Sequence, residues 1–360
     1  MLKTNPAVFA VGRNYHIMVP VNSECVMWVR VGDKNYYDEK NGVMCSSKAI
    51  HRAVVPREEL DNEKEYTVCI QKLKERLAYY TEGEAVVEYK YSFRPVKENP
   101  RAYIVSDAHT LVEESISAAK VYGEIDFLVM SGDIHDDSET VERFFIEYKI
   151  ASELTKGEIP VVFARGNHDL RSDYAEDYDI YMPNDKGNTY YTFRIGDIWG
   201  IVLDCGEDKP DWAVEYGPTV ACHDFRLRQT EFIKHIIENK ETEYEEEGVK
   251  HKLVVVHNPF TRQYPEYFNI EEDIYKEWAD LLGQFVKPEL MICGHTHTLE
   301  VNKVGGEKDY LGQPCDILVS GKPSFEGGKS FVGAGICFEE NGIEIKFTDS
   351  NGNLVRIERI

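Results

Sequence analysis

No stretch of this 360-residue chain approaches the roughly 18 consecutive apolar residues that a membrane-spanning helix needs. Its first twenty residues also lack a long apolar core ending in small residues, the pattern of a secretory leader. The expectation is a protein without membrane association that works in the cytoplasm. None of the eight cysteines forms a C-x-x-C pair, and several, Cys69 and Cys293 among them, lie inside apolar runs. They read as buried thiols rather than disulfides or metal ligands. Positive charge is scarce: 41 Lys plus Arg stand against 64 Asp plus Glu, a net charge of −23. Proteins that hold long nucleic acid draw affinity from Lys and Arg neutralising phosphates, so such a partner is not expected. There are no internal repeats. The one low-complexity run, Glu241 to Glu247, reads as a solvated loop. Histidine is scarce as well, at 11 residues, and its placement carries the reading that follows.

Five apolar runs each end in a short polar cluster. Tyr103 to Val105 leads to Asp107-Ala108-His109, and Phe127 to Met130 leads to Gly132-Asp133-Ile134-His135-Asp136. Val161 to Phe163 leads to Gly166-Asn167-His168-Asp169, Leu253 to Val256 to His257, and Leu290 to Ile292 to Gly294-His295-Thr296-His297. Loops at the carboxyl ends of neighbouring strands in an open α/β sheet lie side by side, so these clusters converge on one crevice. His295 and His297, two apart after a strand, face the same side of an extended segment. The converging side chains are nitrogen and oxygen donors without thiolate, which favours Mn, Fe or Zn over Mg or Ca. Two divalent ions against the carboxylates of Asp107 and Asp133 leave a local positive excess, so an acidic protein can still hold a phosphate dianion.

The five clusters resemble the D-x-H, G-D-x-x-D, G-N-H-D, H and G-H-x-H blocks of the calcineurin-like metallophosphoesterases, in order, over roughly residues 100 to 300. The resemblance implies one metal on Asp107, His109, Asp133 and His297 and a second on Asp133, Asn167, His257 and His295, with Asp133 bridging. It implies hydrolysis of phosphate monoesters by attack of metal-bound hydroxide. Phosphodiesters, including cyclic nucleotides, are the alternative substrates, and a non-catalytic metal-binding scaffold is the alternative role. His168 takes the general-acid position beside the leaving group. Asp136 matches the carboxylate that orients this histidine, Asp169 being the other choice. The substrate expected is a small phosphorylated molecule or a phosphoprotein. Purple acid phosphatases carry a metal-binding tyrosine three residues after the bridging Asp, where this chain has Asp136, so tyrosinate-to-iron colour is not expected.

With 42% hydrophobic residues the chain is long enough for two domains of about 100 to 200 residues. Residues 1–98 alternate with period two, as in Cys25 to Val31 and Ala85 to Phe93, and read as strands. The proline-flanked stretch Arg94 to Pro100 marks a boundary. The predicted arrangement is an N-terminal fibronectin-like β-sandwich over 1–98, resembling the one ahead of purple acid phosphatase catalytic domains. Residues 99–360 then form the catalytic domain. From Arg101 strands alternate with helices predicted near Val112–Val121, Glu139–Leu154, Arg226–Ile237 and Glu271–Phe285, the first two capped by Thr110 and Ser138. Hairpins around Asn341-Gly342 and Asn351-Gly352 are expected to complete a second sheet. The family resemblance implies a four-layer α/β/β/α sandwich.

Other residues stay open at this level. His135 and Arg165 are candidate substrate contacts, as are Arg171 and Arg194 for phosphate. His223 is weaker. Tyr174, Tyr178, Tyr181, Trp212 and Tyr216 lie in the stretch between Asp169 and Arg226 expected to select substrate, or else pack its loops.

Overall fold

The computed structural model describes residues 1–326 and 328–360. Their fold is mixed α/β, built on two large sheets. The first runs in the order Leu354–Arg359, Gly342–Asp349, Ser330–Glu339, Arg101–Val105, Phe127–Ser131, Pro160–Ala164, Ala7–Val11, Asn14–Pro20, Ile50–Pro56. Its three central strands, Arg101–Val105, Phe127–Ser131 and Pro160–Ala164, are parallel and fully buried apart from Arg101. Apolar residues in both phases, as in Phe127-Leu128-Val129-Met130, are what a parallel strand covered on both faces requires. The second sheet runs Tyr191–Ile195, Ile198–Val202, His251–Val255, Leu290–Cys293, Asp316–Val319, Glu300–Asn302.

Period-two alternation in the second sheet sorts its residues between two cores. Leu253, Val255, Leu290 and Ile292 join the core shared with the first sheet. Val254, Val256, Met291 and Cys293 point the other way and pack with Ile233, Ile236, Ile274 and Trp278 of the helices Cys222–Glu238 and Glu272–Leu281. The helices Val112–Tyr122 and Val141–Thr155 pack on the first sheet. Trp278 is fully buried in the second core and donates its indole N–H to Thr230 at 2.8 Å, so its own donor is paired.

Three expectations need correction. Residue 98 is not an edge between sheets: Ala7–Val11 pairs parallel with Pro160–Ala164, and Asn14–Pro20 and Ile50–Pro56 continue the same sheet. The remainder of the N-terminal region, centred on Cys25–Val31, Glu65–Arg76 and Val87–Ser92, forms a separate antiparallel sheet. Its buried residues belong to the same core as the first sheet. The C-terminal hairpins are present, but they extend the first sheet through Ser330–Glu339 against Arg101–Val105 rather than completing the second. Neither Thr110 nor Ser138 caps a helix, for the helices begin at Val112 and Val141 without side-chain caps. All eight cysteines are free thiols, six of them buried.

Every residue of Ala7–Val11 is at most 2% exposed. Burial of Val8, Phe9 and Val11 alone is worth roughly 5 to 9 kcal/mol, comparable to the whole stability of a typical domain, about 5 to 15 kcal/mol. A fragment comprising residues 99–360 is therefore expected to lose its cooperative thermal transition. A fragment that unfolds cooperatively near the full chain's temperature would restore the boundary at residue 98.

Candidate metal centre

Ligand-bearing loops from both sheets meet at one point. From the first sheet come Asp107 and His109, Asp133, and Asn167 with His168. From the second come His257 and the pair His295 and His297. The ring of His257 donates Nδ1–H to the Ser131 carbonyl at 2.7 Å, and the His295 amide donates to the Asp107 carboxylate at 2.9 Å. Ser106, which the sequence did not single out, steadies the same carboxylate by donating to Asp107 Oδ2 at 2.5 Å. Such close approach requires glycine: a Cβ on Gly294 would stand 1.8 Å from Ser106 Oγ, and one on Gly166 2.2 Å from Asp133 Oδ1.

Backbone strain is concentrated here. Asp107, His109, Asp133, His295 and His297 all have positive φ, between 42° and 71°. Each such residue costs on the order of 1–3 kcal/mol and persists only where its surroundings over-determine it. What the strained loops achieve is convergence. Donor atoms of Asp107, His109 and His297 lie within 4.8 Å of one another, and so do those of Asp133, His257 and His295; Asp133 also groups with His109 and His168. Asn167 joins the second group through its Oδ1, 3.0 Å from His295 Nδ1.

The donor atoms face one another across short gaps, an arrangement that a cation between them would satisfy. His109 Nδ1 lies 3.0 Å from the Asp136 carboxylate, which places its proton on Nδ1 and leaves a lone pair on Nε2. That lone pair points at His297 Nε2, 3.0 Å away. His257 has spent its Nδ1–H on Ser131, and its fully buried Nε2, 3.1 Å from Asp133 Oδ2, has no hydrogen-bond partner. Burial disfavours a charged His257, but Asp133 and Asp107 outweigh it and the ring is pushed up to about 10. The neighbouring His295 is pushed down to about 4 by burial and by His257. A divalent ion satisfies this donor set, and Asp107, His109, Asp133, Asn167, His257, His295 and His297 are the residues able to hold it.

The remaining candidates divide. His168 stands at the edge of the centre, its amide donating to Asp133 Oδ1 at 2.9 Å. Its Nδ1 donates to the backbone carbonyl of Asp136 at 2.8 Å, which leaves Nε2 for a ligand. Asp136 thus orients His168 through its carbonyl, while its carboxylate serves His109. Asp169 does not reach His168; its Oδ2 accepts the Gly166 amide at 2.6 Å. His135 is fully buried against Glu147 and Ser138 and cannot touch substrate. Arg165 is held by Asp204 at 2.7 Å between the rings of Tyr178 and Phe225. Arg194 donates to the Gly196 carbonyl and His223 pairs with Glu271, both outside the donor groups.

Arg171 carries the cationic function beside the centre. Its Nη1 lies 3.1 and 3.3 Å from the ring nitrogens of His168, and Glu207, itself buried, grips the guanidinium through two bonds at 2.9 and 3.1 Å. Arg171 and Glu207 line a cavity of about 970 Å³, together with Arg165, Lys209, Tyr216 and Phe225. Of the five aromatics in this stretch, Tyr174, Tyr178 and Tyr181 pack into the core, Tyr216 lines the cavity, and Trp212 stands exposed against Tyr267. Glu207 was not legible in the sequence, being one acid among 64.

Residues 100–299 match the sequence model of the calcineurin-like phosphoesterases, more than half of the chain, and the chain belongs to that family. Its members are hydrolases of phosphoric esters that use divalent metal ions. Among solved structures, purple acid phosphatase PPD1 from yellow lupin (Lupinus luteus) seeds shares the fold, with a TM-score of 0.58 over 99% of this chain and 73% of that one at 12% identity. The protein TT1561 of Thermus thermophilus superposes with a TM-score of 0.38, at 15% identity over 73% of this chain and 98% of that one. A metallophosphoesterase from Sphaerobacter thermophilus gives 0.26, at 12% identity over 73% and 88%. A search of curated proteins finds no match. Among the described residues no helix is long and apolar enough to cross a membrane.

Two outcomes follow from this geometry. Asp136→Ala removes the partner of His109 but keeps the carbonyl that holds His168. Manganese titration should show one ion weakened about 10- to 100-fold, with the leaving-group dependence of any turnover unchanged. The converse result would return the carboxylate to His168. Because His257 is raised to about 10, an ion that takes its place on Nε2 displaces a proton at neutral pH. Affinity should tighten as pH rises from 6 to 9, with proton release visible by calorimetry in buffers of different ionisation heat. In the metal-free chain the sign reverses: this histidine contributes stability below about pH 6.5 that is lost as pH rises toward 10. Affinity independent of pH would remove His257 from the ligand set.

Proposed function

We propose that this chain is a dinuclear metal phosphoesterase acting on small phosphate monoesters. The observation that carries it is the orphaned, buried Nε2 of His257 beside Asp133, at the junction of two donor groups that together use all seven ligand candidates. In this reading Asp107, His109 and His297 hold one ion, Asn167, His257 and His295 hold the other, and Asp133 belongs to both. Mn, Fe or Zn suits nitrogen and oxygen donors of this kind. The ions, when bound, supply Lewis acidity to the phosphate oxygens and lower the pKa of the attacking water.

The protein's own groups then have defined tasks. His168, with Nδ1–H fixed on the Asp136 carbonyl, presents Nε2 to the leaving-group oxygen. As the doubly protonated imidazolium it transfers the Nε2 proton there and is left neutral, a contribution of typically 10²- to 10⁴-fold. Arg171, stiffened by Glu207, stands beside His168 where a phosphate or leaving-group oxygen can accept its N–H. The large cavity on that side receives the organic part of the ester. One core shared by the two sheets and the helices on the first, and a second core between the other sheet and its helices, support reading the fold as the layered α/β/β/α arrangement. A surplus of 23 negative charges supports small phosphorylated molecules over long nucleic acid as substrates, and the reading places the enzyme in the cytoplasm. A phosphodiesterase uses the same donors.

The test is hydrolysis of p-nitrophenyl phosphate beside bis-p-nitrophenyl phosphate after metal removal and single-metal addition. Metal-dependent turnover that favours the monoester and disappears in Asp107→Ala is expected. Preference for the diester would establish the alternative, and full metal occupancy without turnover on any ester would make the chain a binding scaffold. His168→Ala should slow an alkyl phosphate at least tenfold more than a nitrophenyl phosphate; equal losses would remove it as the acid.

A further inference from the structure

Behind the metal centre lies a second cluster of titratable groups that the reaction does not use. His135, Glu147 and Asp169 present donor atoms within 4.8 Å of one another, with side chains 0%, 0% and 1% exposed. His135 is two residues after Asp133 on one loop, Asp169 follows His168 on another, and Glu147 lies on the helix Val141–Thr155. Building on the two-metal reading above, we propose that this triad is a positioning device that fixes the distance between Asp133 and the Asn167–His168 pair.

The bonding supports it. His135 donates Nδ1–H to the Glu147 carboxylate and Nε2–H to Ser138 Oγ at 3.2 Å, and Asp169 Oδ1 lies 3.3 Å from the same Nε2. Ser138 passes its own proton to the Asp169 carbonyl at 2.9 Å, and Asp169 Oδ2 takes the Gly166 amide. One imidazole therefore ties the loop that carries Asp133 to the loop that carries Asn167 and His168, and both to a helix. In front, the same two loops are in backbone contact, since a Cβ on Gly132 would lie 2.6 Å from Gly166 Cα. The loops are gripped from both sides. His135 also packs edge-on against Phe144, which prevents the ring from turning.

Stability does not account for the cluster. Two carboxylates are buried with a single imidazole, and Glu147 Oε2 and Asp169 Oδ1 have no hydrogen-bond partner. Buried ionic groups are commonly no better for stability than apolar residues of the same volume, whereas they restrict the chain to one geometry. A neutral, well-packed substitute would hold the helix to the loops without setting their separation.

The test uses the whole chain and two variants, His135→Gln and the apolar pair His135→Leu/Glu147→Leu. Thermal unfolding, Mn²⁺ titration, the spin-coupled dimanganese spectrum, and kcat and KM for p-nitrophenyl phosphate are measured. At least one variant should fold, retain one Mn²⁺ at wild-type affinity, bind the second at least tenfold more weakly, and lose or alter the coupled spectrum. Its kcat should fall at least tenfold with KM changed less than threefold. Two ions of unchanged affinity with an unchanged coupled spectrum would overturn the proposal. So would three ions in the wild type falling to two in the variants, which would make the triad a metal site. Failure of both variants to fold would assign the triad to the fold and overturn the positioning role. Should the wild type bind two ions but hydrolyse no ester, while the variants lose the second ion, the proposed function fails and the positioning device stands.

Discussion

The whole centre depends on a junction between two sheets whose strands, among the described residues, pair with each other at one isolated bridge, Gly12 with Phe193. His257 donates to the Ser131 carbonyl and the His295 amide donates to Asp107, so groups from the second sheet complete loops of the first. The first is buried and the second part-buried, and away from water hydrogen bonds are strong and an unpaired group is costly. Apolar packing between the sheets brings the loops near each other. These two bonds then fix which atoms meet, and from that follow the clustered donors of the candidate metal centre. Strain at Asp107, His109, Asp133, His295 and His297 is the counterpart: five unfavourable backbone conformations are held because the junction leaves no alternative.

Charge follows the same logic. The interior around the centre contains Asp107, Asp133, Glu147 and Asp169 within a chain already 23 charges negative. Burial opposes ionisation of Asp133, but His257 and its neighbours outweigh it and hold the carboxyl well below the usual carboxylate range. Asp169, by contrast, is pushed up to about 6, chiefly by burial and by other carboxylates. Two aspartates in facing loops are thus shifted in opposite directions, one toward the anion and the other toward the neutral acid. An acidic protein can therefore recognise an anionic group only through cations it imports or, like Arg171, holds in place.

Much of the centre was legible because its ligands follow strands, and a strand end is marked in sequence by the abrupt change from apolar to polar residues. All five clusters converge for that reason. The errors have physical causes. Residues 1–98 read as strands, but backbone hydrogen bonds carry no residue code, so the pairing of Ala7–Val11 with Pro160–Ala164 was invisible. Asp136 lies beside His168, yet the bond uses its carbonyl, which any residue would offer. His135 looked like a substrate contact because histidine between two site residues suggests exposure; its burial depends on Glu147, twelve positions away on a helix. Ser138 was read as a helix cap, whereas its hydroxyl joins the two loops.

The parallel pairing of Ala7–Val11 with Pro160–Ala164 has a consequence for how the chain is made. The first strand leaves the ribosome some 150 residues before its partner, a delay on the order of ten seconds at ordinary elongation rates. During that interval a segment with no polar face, Ala-Val-Phe-Ala-Val, has only its hairpin with Asn14–Pro20 to cover one edge. Long-range pairing of this kind is slow and leaves apolar strand edges open to other chains. Synthesis therefore exposes Ala7–Val11 to misassembly, because the strand must wait for Pro160–Ala164 before its second edge is paired.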